Sequence, residues 1–157
     1  MKNELKQELT RRLCECNNGG LVLVMYDIYF GFSEDVKAAL ASNDRAALKK
    51  AVADVQAALD ELIGALDFKY PLAGQLYPLY SYCKRLFSTV LYSLDVSVVD
   101  EADSIMKKLR ISFETAAADD KSALLMDNAQ KVYAGMTYGR GRLTESFIND
   151  DNRGFLA

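Results

Sequence analysis

The sequence predicts an all-α protein: an antiparallel up-down four-helix bundle with an N-terminal capping helix, an extra C-terminal helix and an irregular tail. Three observations carry this. Large apolar residues recur at three- and four-residue steps over four successive segments, the spacing that lines them up on one side of a helix. Polar residues able to cap a helix stand where those segments begin. The connections are short, and short connections make consecutive helices antiparallel neighbours.

Taken in order, a short N-terminal helix is expected near residues 3–15, with Leu5, Leu9 and Leu13 on one side. The first long helix carries Leu21, Met25, Ile28, Phe32, Val36 and Ala39 behind a cap at Asn17. The second carries Leu48, Val52, Val55, Leu59, Leu62 and Leu66 behind Asn43 or Asp44. The third has Leu72, Leu76, Leu79, Cys83, Leu86, Val90 and Leu94. Pro71 suits its first turn, whereas Pro78 removes an amide donor, so a kink or the true start of the helix is expected there. The fourth, behind Asp95 or Ser97, carries Val98, Ala102, Ile105, Leu109, Phe113 and Ala116.

A further helix is expected near 121–135, with Leu125, Ala129 and Val132. Beyond Gly135 the glycines at 139, 141 and 154 interrupt any helical periodicity, so the tail is expected to be extended or irregular. One helical domain thus spans 1–135 with its core at 17–117, followed by a C-terminal extension at 136–157.

A chain of 157 residues buries enough surface for a single core without metal or disulfide. Half the residues are hydrophobic and 26% charged, the balance of a globular domain. The net charge of −3 provides no cationic surplus to displace phosphate counterions, which removes nucleic acid as a leading partner. The N-terminal stretch is charged and lacks the apolar core of a signal peptide. No stretch approaches the ~20 apolar residues of a membrane span, so a cytoplasmic location is expected. Cys14, Cys16 and Cys83 form no framework spacing and are expected to remain reduced.

The chain has no histidine, which excludes Ser-His and Cys-His catalysis, His-bearing zinc sites and the di-iron pattern of ferritin-like bundles. Gly135 to Gly141 lacks the Lys-Ser/Thr of a phosphate loop and follows no strand. Pairs such as Asp60-Glu61 and Asp119-Asp120 suit solvated helix faces. No catalytic residue, cofactor or metal site is assigned, and the protein is not expected to be an enzyme.

What the sequence has instead is a surplus of apolar and aromatic surface. Leu21 to Phe30 is apolar on nearly every side, so this helix must be covered on two faces. The third long helix carries Tyr77, Tyr80, Tyr82, Phe87, Leu91 and Tyr92 off its leucine stripe. Two readings coexist. The flanking helices cover the surplus, or it forms a groove for a partner helix, guarded by a weakly held cover until the partner arrives. On this ground alone Tyr29, Phe30 and Phe87 are candidate partner-binding residues.

Leu21-Val-Leu-Val-Met-Tyr-Asp27 resembles the LVLMLYD segment that opens the first long helix of FliS-type flagellin export chaperones. Leu66-Asp67-Phe68 resembles the LDF that closes their second, and Leu79-Tyr-Ser-Tyr-Cys-Lys-Arg85 resembles the LYEYM-x-R of their third. The resemblance covers residues 17–117. Asn17-Asn-Gly-Gly20 departs from the family's Ser-Pro-Glu-Lys helix start, and the segment after Phe68 is shorter.

The resemblance implies a monomer or weak homodimer that holds the C-terminal helical segment of flagellin in the cytoplasm, prevents premature polymerisation and delivers the subunit for export. The flagellar export apparatus is a further partner implied. Tyr26, Asp27, Tyr80, Tyr82 and Arg85 stand at matching motif positions and join the candidate partner-binding residues. A divergent adaptor or structural bundle that has lost flagellin binding is the alternative. A small-molecule enzyme or ligand carrier using a bundle cavity is disfavoured by the missing histidines.

Overall fold

The computed structural model describes residues 3–125, which form five α-helices: α1 (Asn3–Glu15), α2 (Asn18–Ala41), α3 (Arg45–Gly64), α4 (Pro71–Ser93) and α5 (Val96–Ala118). No strand occurs among the described residues. α2 and α4 each pack against both α3 and α5, so the four long helices close into an up-down square with α2 diagonal to α4. Among the described residues α1 packs against α2 and no other helix.

The helix starts follow from local chemistry. Asn17 accepts the Gly20 amide at 2.9 Å, and Asp44 accepts the amides of Ala46 and Ala47. Asn43, the other candidate for that cap, instead takes a left-handed φ of 53° that turns the chain into α3. Asp95 caps α5 through the Ser97 amide at 2.8 Å, a bond that holds its carboxyl below the usual carboxylate range. Leu94 ends α4 with a φ of 55°, a conformation that costs a residue with a Cβ roughly 1–2 kcal/mol.

α4 runs through Pro78 without a break and starts at Pro71, not at Pro78. The carbonyl that loses its donor is that of Gly74, four residues back. Both residues are exposed, so water can satisfy that group.

The core departs from the expected stripes most clearly in α4. Leu76, Cys83 and Val90 are buried as expected, but the residues between them are Ala73, Tyr80 and Phe87. The leucines of the expected stripe face outward or lie at its edge, with Leu72 53% and Leu79 36% exposed. In α5 the buried set is Val99, Ala102, Asp103 and Met106, with Ile105, Leu109 and Phe113 only partly covered. α3 buries Leu48, Val52, Val55, Leu59 and Leu62 as expected. α2 is enclosed by α1, α3 and α5, which is why its apolar residues lie on more than one face.

One charged cluster lies inside. Asp103, 3% exposed, accepts hydrogen bonds from Tyr29 at 3.1 Å and Ser33 at 2.7 Å, and pairs with the Lys37 ammonium at 2.8 Å. Burial opposes the charge on Lys37, but hydrogen bonds to Asp103 and Asp100 outweigh it and raise its pKa. The cluster fastens α2 to α5 with its buried side-chain polar atoms satisfied.

α2 and α5 also meet where the chain leaves the bundle. Asp120 accepts the Gly19 amide at 2.9 Å, and its carbonyl accepts Asn17 Nδ2 at 3.2 Å. A Cβ at Gly19 would stand 3.0 Å from both the Ala117 Cβ and Asp120 Oδ2, so glycine permits the close approach. The extra helix expected near 121–135 does not begin there: residues 119–125 are non-helical, and the Leu125 amide bonds the Cys16 carbonyl at 3.0 Å. The remainder of that expected helix, and the 136–157 extension, lie outside the described residues.

Candidate functional site

The α3–α4 connection builds an apolar opening. Asp67 forms a local turn, its carboxylate accepting the Lys69 amide and its carbonyl the Tyr70 amide, each at 3.0 Å. Pro71 then starts α4 with its fixed φ. The turn leaves a cleft of about 280 Å³ between the start of α2, the end of α3 and the start of α4. Val22 and Met25 form one wall, Leu62 and Leu66 another, Leu72 and Leu76 a third, and Asp67 is the only charged residue lining it.

Its floor is aromatic. The Tyr26 and Tyr80 hydroxyls meet at 2.6 Å, and the Phe113 ring lies 5.6 Å from that of Tyr26. Burial raises both tyrosines above the ordinary phenol pKa, so they act as neutral hydrogen-bonding groups. At the mouth Tyr70 is 67% exposed, with Phe68 close by in sequence at 64%; the Phe68 ring lies 6.0 Å from that of Tyr77, which lines a separate hollow. A hollow with exposed aromatics about it is suited to an apolar stripe from another chain segment.

The candidate residues from the sequence separate into three places. Tyr26, Tyr29, Tyr80 and Phe87 are interior, and of these only Tyr80 lines the cleft. Phe87 packs edge-on against Tyr29 at 6.0 Å and touches no surface. Asp27 and Phe30 lie in a second hollow between α1 and α2, of about 600 Å³. There Asp27 binds Arg12 at 2.6 Å and Arg110 at 2.8 Å, joining α1, α2 and α5. The hydrogen bond to Asp27 keeps the Arg110 guanidinium charged against the cost of burial. Tyr82 and Arg85 stand on the outer side of α4, with Tyr82 donating to Glu101 at 2.6 Å and the Arg85 guanidinium 5.7 Å from the Tyr82 ring centre.

The sequence places no candidate partner-binding residue at the mouth of the cleft, although Phe68 carries part of the resemblance. The available signal was an apolar turn: Leu66, Phe68, Tyr70 and Leu72 alternate through a segment whose Pro71 and polar residues mark a connection. The three segments that carry the resemblance converge on the cleft, Val22 and Met25 from the first, Leu66 and Asp67 from the second, Tyr80 from the third.

Among the described residues no group of three or more His, Cys, Asp or Glu is arranged to hold a metal ion, and no helix is long and apolar enough to cross a membrane. A protein-family model described as Flagellar protein FliS matches residues 1–120. No curated protein matches the chain.

Proposed function

The chain belongs to the FliS family of flagellar proteins, and on that premise we propose that it is a cytoplasmic export chaperone that binds the C-terminal region of flagellin, prevents its premature polymerisation and supports its secretion. Membership supports a flagellar chaperone role, and the family is not one known for catalysis.

The observation that carries the reading is the convergence of the three resembling segments on one open apolar cleft. A flagellin segment that becomes helical only in the filament exposes an apolar stripe beforehand, and burying that stripe is the task of a chaperone. The cleft supplies leucine and methionine walls for such side chains, with exposed aromatics to extend the contact. α1, which among the helices packs on α2 alone, borders the neighbouring hollow, where Asp27 and Phe30 extend the contact.

Co-purification tests this. The chain is expected to retain full-length flagellin of the same organism and to lose flagellin that lacks its C-terminal region. Equal retention of both forms would contradict binding through the C-terminal region, and retention of neither form would favour the divergent adaptor that has lost flagellin binding.

A further inference from the structure

We propose that the segment around Leu143 to Ile148 of this same chain occupies the apolar cleft when no partner does, covering it from within the molecule. The inference concerns the cleft itself and stands whichever partner the cleft serves.

Where the described chain ends is the first support. The Leu125 amide is tied to the Cys16 carbonyl, and Val22 and Phe113, on the walls of the cleft, lie within about two helical turns of that junction. The chain after residue 125 therefore sets out from the end of the bundle at which the cleft opens.

Length is the second. Residues 126–157 follow that point. The 18 residues from Leu125 to Leu143 can reach at most about 60 Å, against about 35 Å for the length of a helix such as α5. Attachment through the chain also gives the segment a local concentration on the order of millimolar, so a weak contact suffices to fill the cleft.

Chemistry is the third. Leu143 and Phe147 are four residues apart, so one helical turn would present both on one side, with Ile148 next to them. Arg142 precedes Leu143 directly with Arg140 two residues earlier, Glu145 lies between the two anchors, and the one charged residue lining the cleft is Asp67, opposite in sign to the arginines. Apolar anchors with adjoining arginines match an apolar hollow with a carboxylate on its wall.

Methyl-resolved NMR of the full chain tests the proposal without any flagellin, so its outcome is separate from that of the chaperone reading. The double substitution Leu143→Asp and Phe147→Asp changes no described residue. It is expected to shift the methyl signals of Leu62, Leu66, Leu72 and Leu76, to leave Val90 and Val99 unmoved, and to do so equally at low and high protein concentration. Reciprocally, Leu72→Asp is expected to shift Leu143 and Ile148. Unchanged cleft signals would overturn the proposal. Shifts that fade on dilution would also overturn it, because the occupant would then be a second copy.

Discussion

The hydroxyl oxygens of Tyr26 and Tyr80 stand 2.6 Å apart across the diagonal of the bundle, joining α2 to α4 beneath the apolar cleft. Both residues are buried, so each hydroxyl depends on the other. Tyr80→Phe strands the Tyr26 hydroxyl and is expected to destabilise the fold by about 1–3 kcal/mol. Phe87→Ala is expected to cost about 3–5 kcal/mol through the cavity it leaves. Denaturant unfolding checks both, and unchanged midpoints would show that these aromatics are not the core.

Leu59, fully buried on α3, serves as the reference for ordinary core packing. Leu59→Ala is expected to lower unfolding free energy by about 2–5 kcal/mol. A loss under about half a kcal/mol, the range of neutral surface changes, would be inconsistent with its burial.

Asp27 holds α1 to the bundle through Arg12 while also binding Arg110. Arg12→Ala removes the α1 link, a partly buried charge-assisted bond of about 1 kcal/mol. Amide exchange in α1 is expected to quicken roughly fivefold by local opening, with exchange in α3 unaltered. Equal quickening in both helices would mean that α1 does not open separately.

Asp120 gives a pH signature. Hydrogen bonds from the Ser122 amide, then the Gly19 amide, hold its carboxyl below the usual carboxylate range. A depressed carboxylate contributes stability above its unfolded pKa and loses it as pH falls through the folded value. Acid should therefore loosen the α2–α5 junction below about pH 4. Monitored by the Gly19 amide signal, this loosening is expected to vanish in Asp120→Asn, whose junction is already weakened at neutral pH. An unchanged acid profile in that variant would assign the effect to other carboxylates.

The fold was legible because its signals are local. Caps such as Asn17 and Asp95 and the apolar period of α3 state helix starts and faces directly. The α4 seam was not. Leu76, Cys83 and Val90 fit two heptad frames equally, one completed by Leu72, Leu79 and Leu86, the other by Ala73, Tyr80 and Phe87. Hydrophobicity favours the leucines. The structure uses the second frame, in which Tyr80 finds the Tyr26 hydroxyl and Phe87 fits against Tyr29. That tertiary pairing has no trace in the spacing. The same ambiguity shapes the candidate residues, since Tyr80 and Phe87, read as surplus surface, are internal while Phe68, Tyr70 and Leu72 stand exposed.

Flagellin binding at the cleft is tested most directly by titrating the C-terminal segment of flagellin into the full chain in a calorimeter, with wild type and Leu72→Asp in parallel. Leu72 is exposed and lies in the first turn of α4, where an acidic side chain favours the helix, so the variant is expected to fold normally. Burying a leucine contributes about 1.5–3 kcal/mol. Losing it should weaken binding about tenfold or more. Saturable binding by the wild type with that loss in Leu72→Asp is the expected result. No heat with the wild type, or equal affinity for the two proteins, would contradict binding at this cleft.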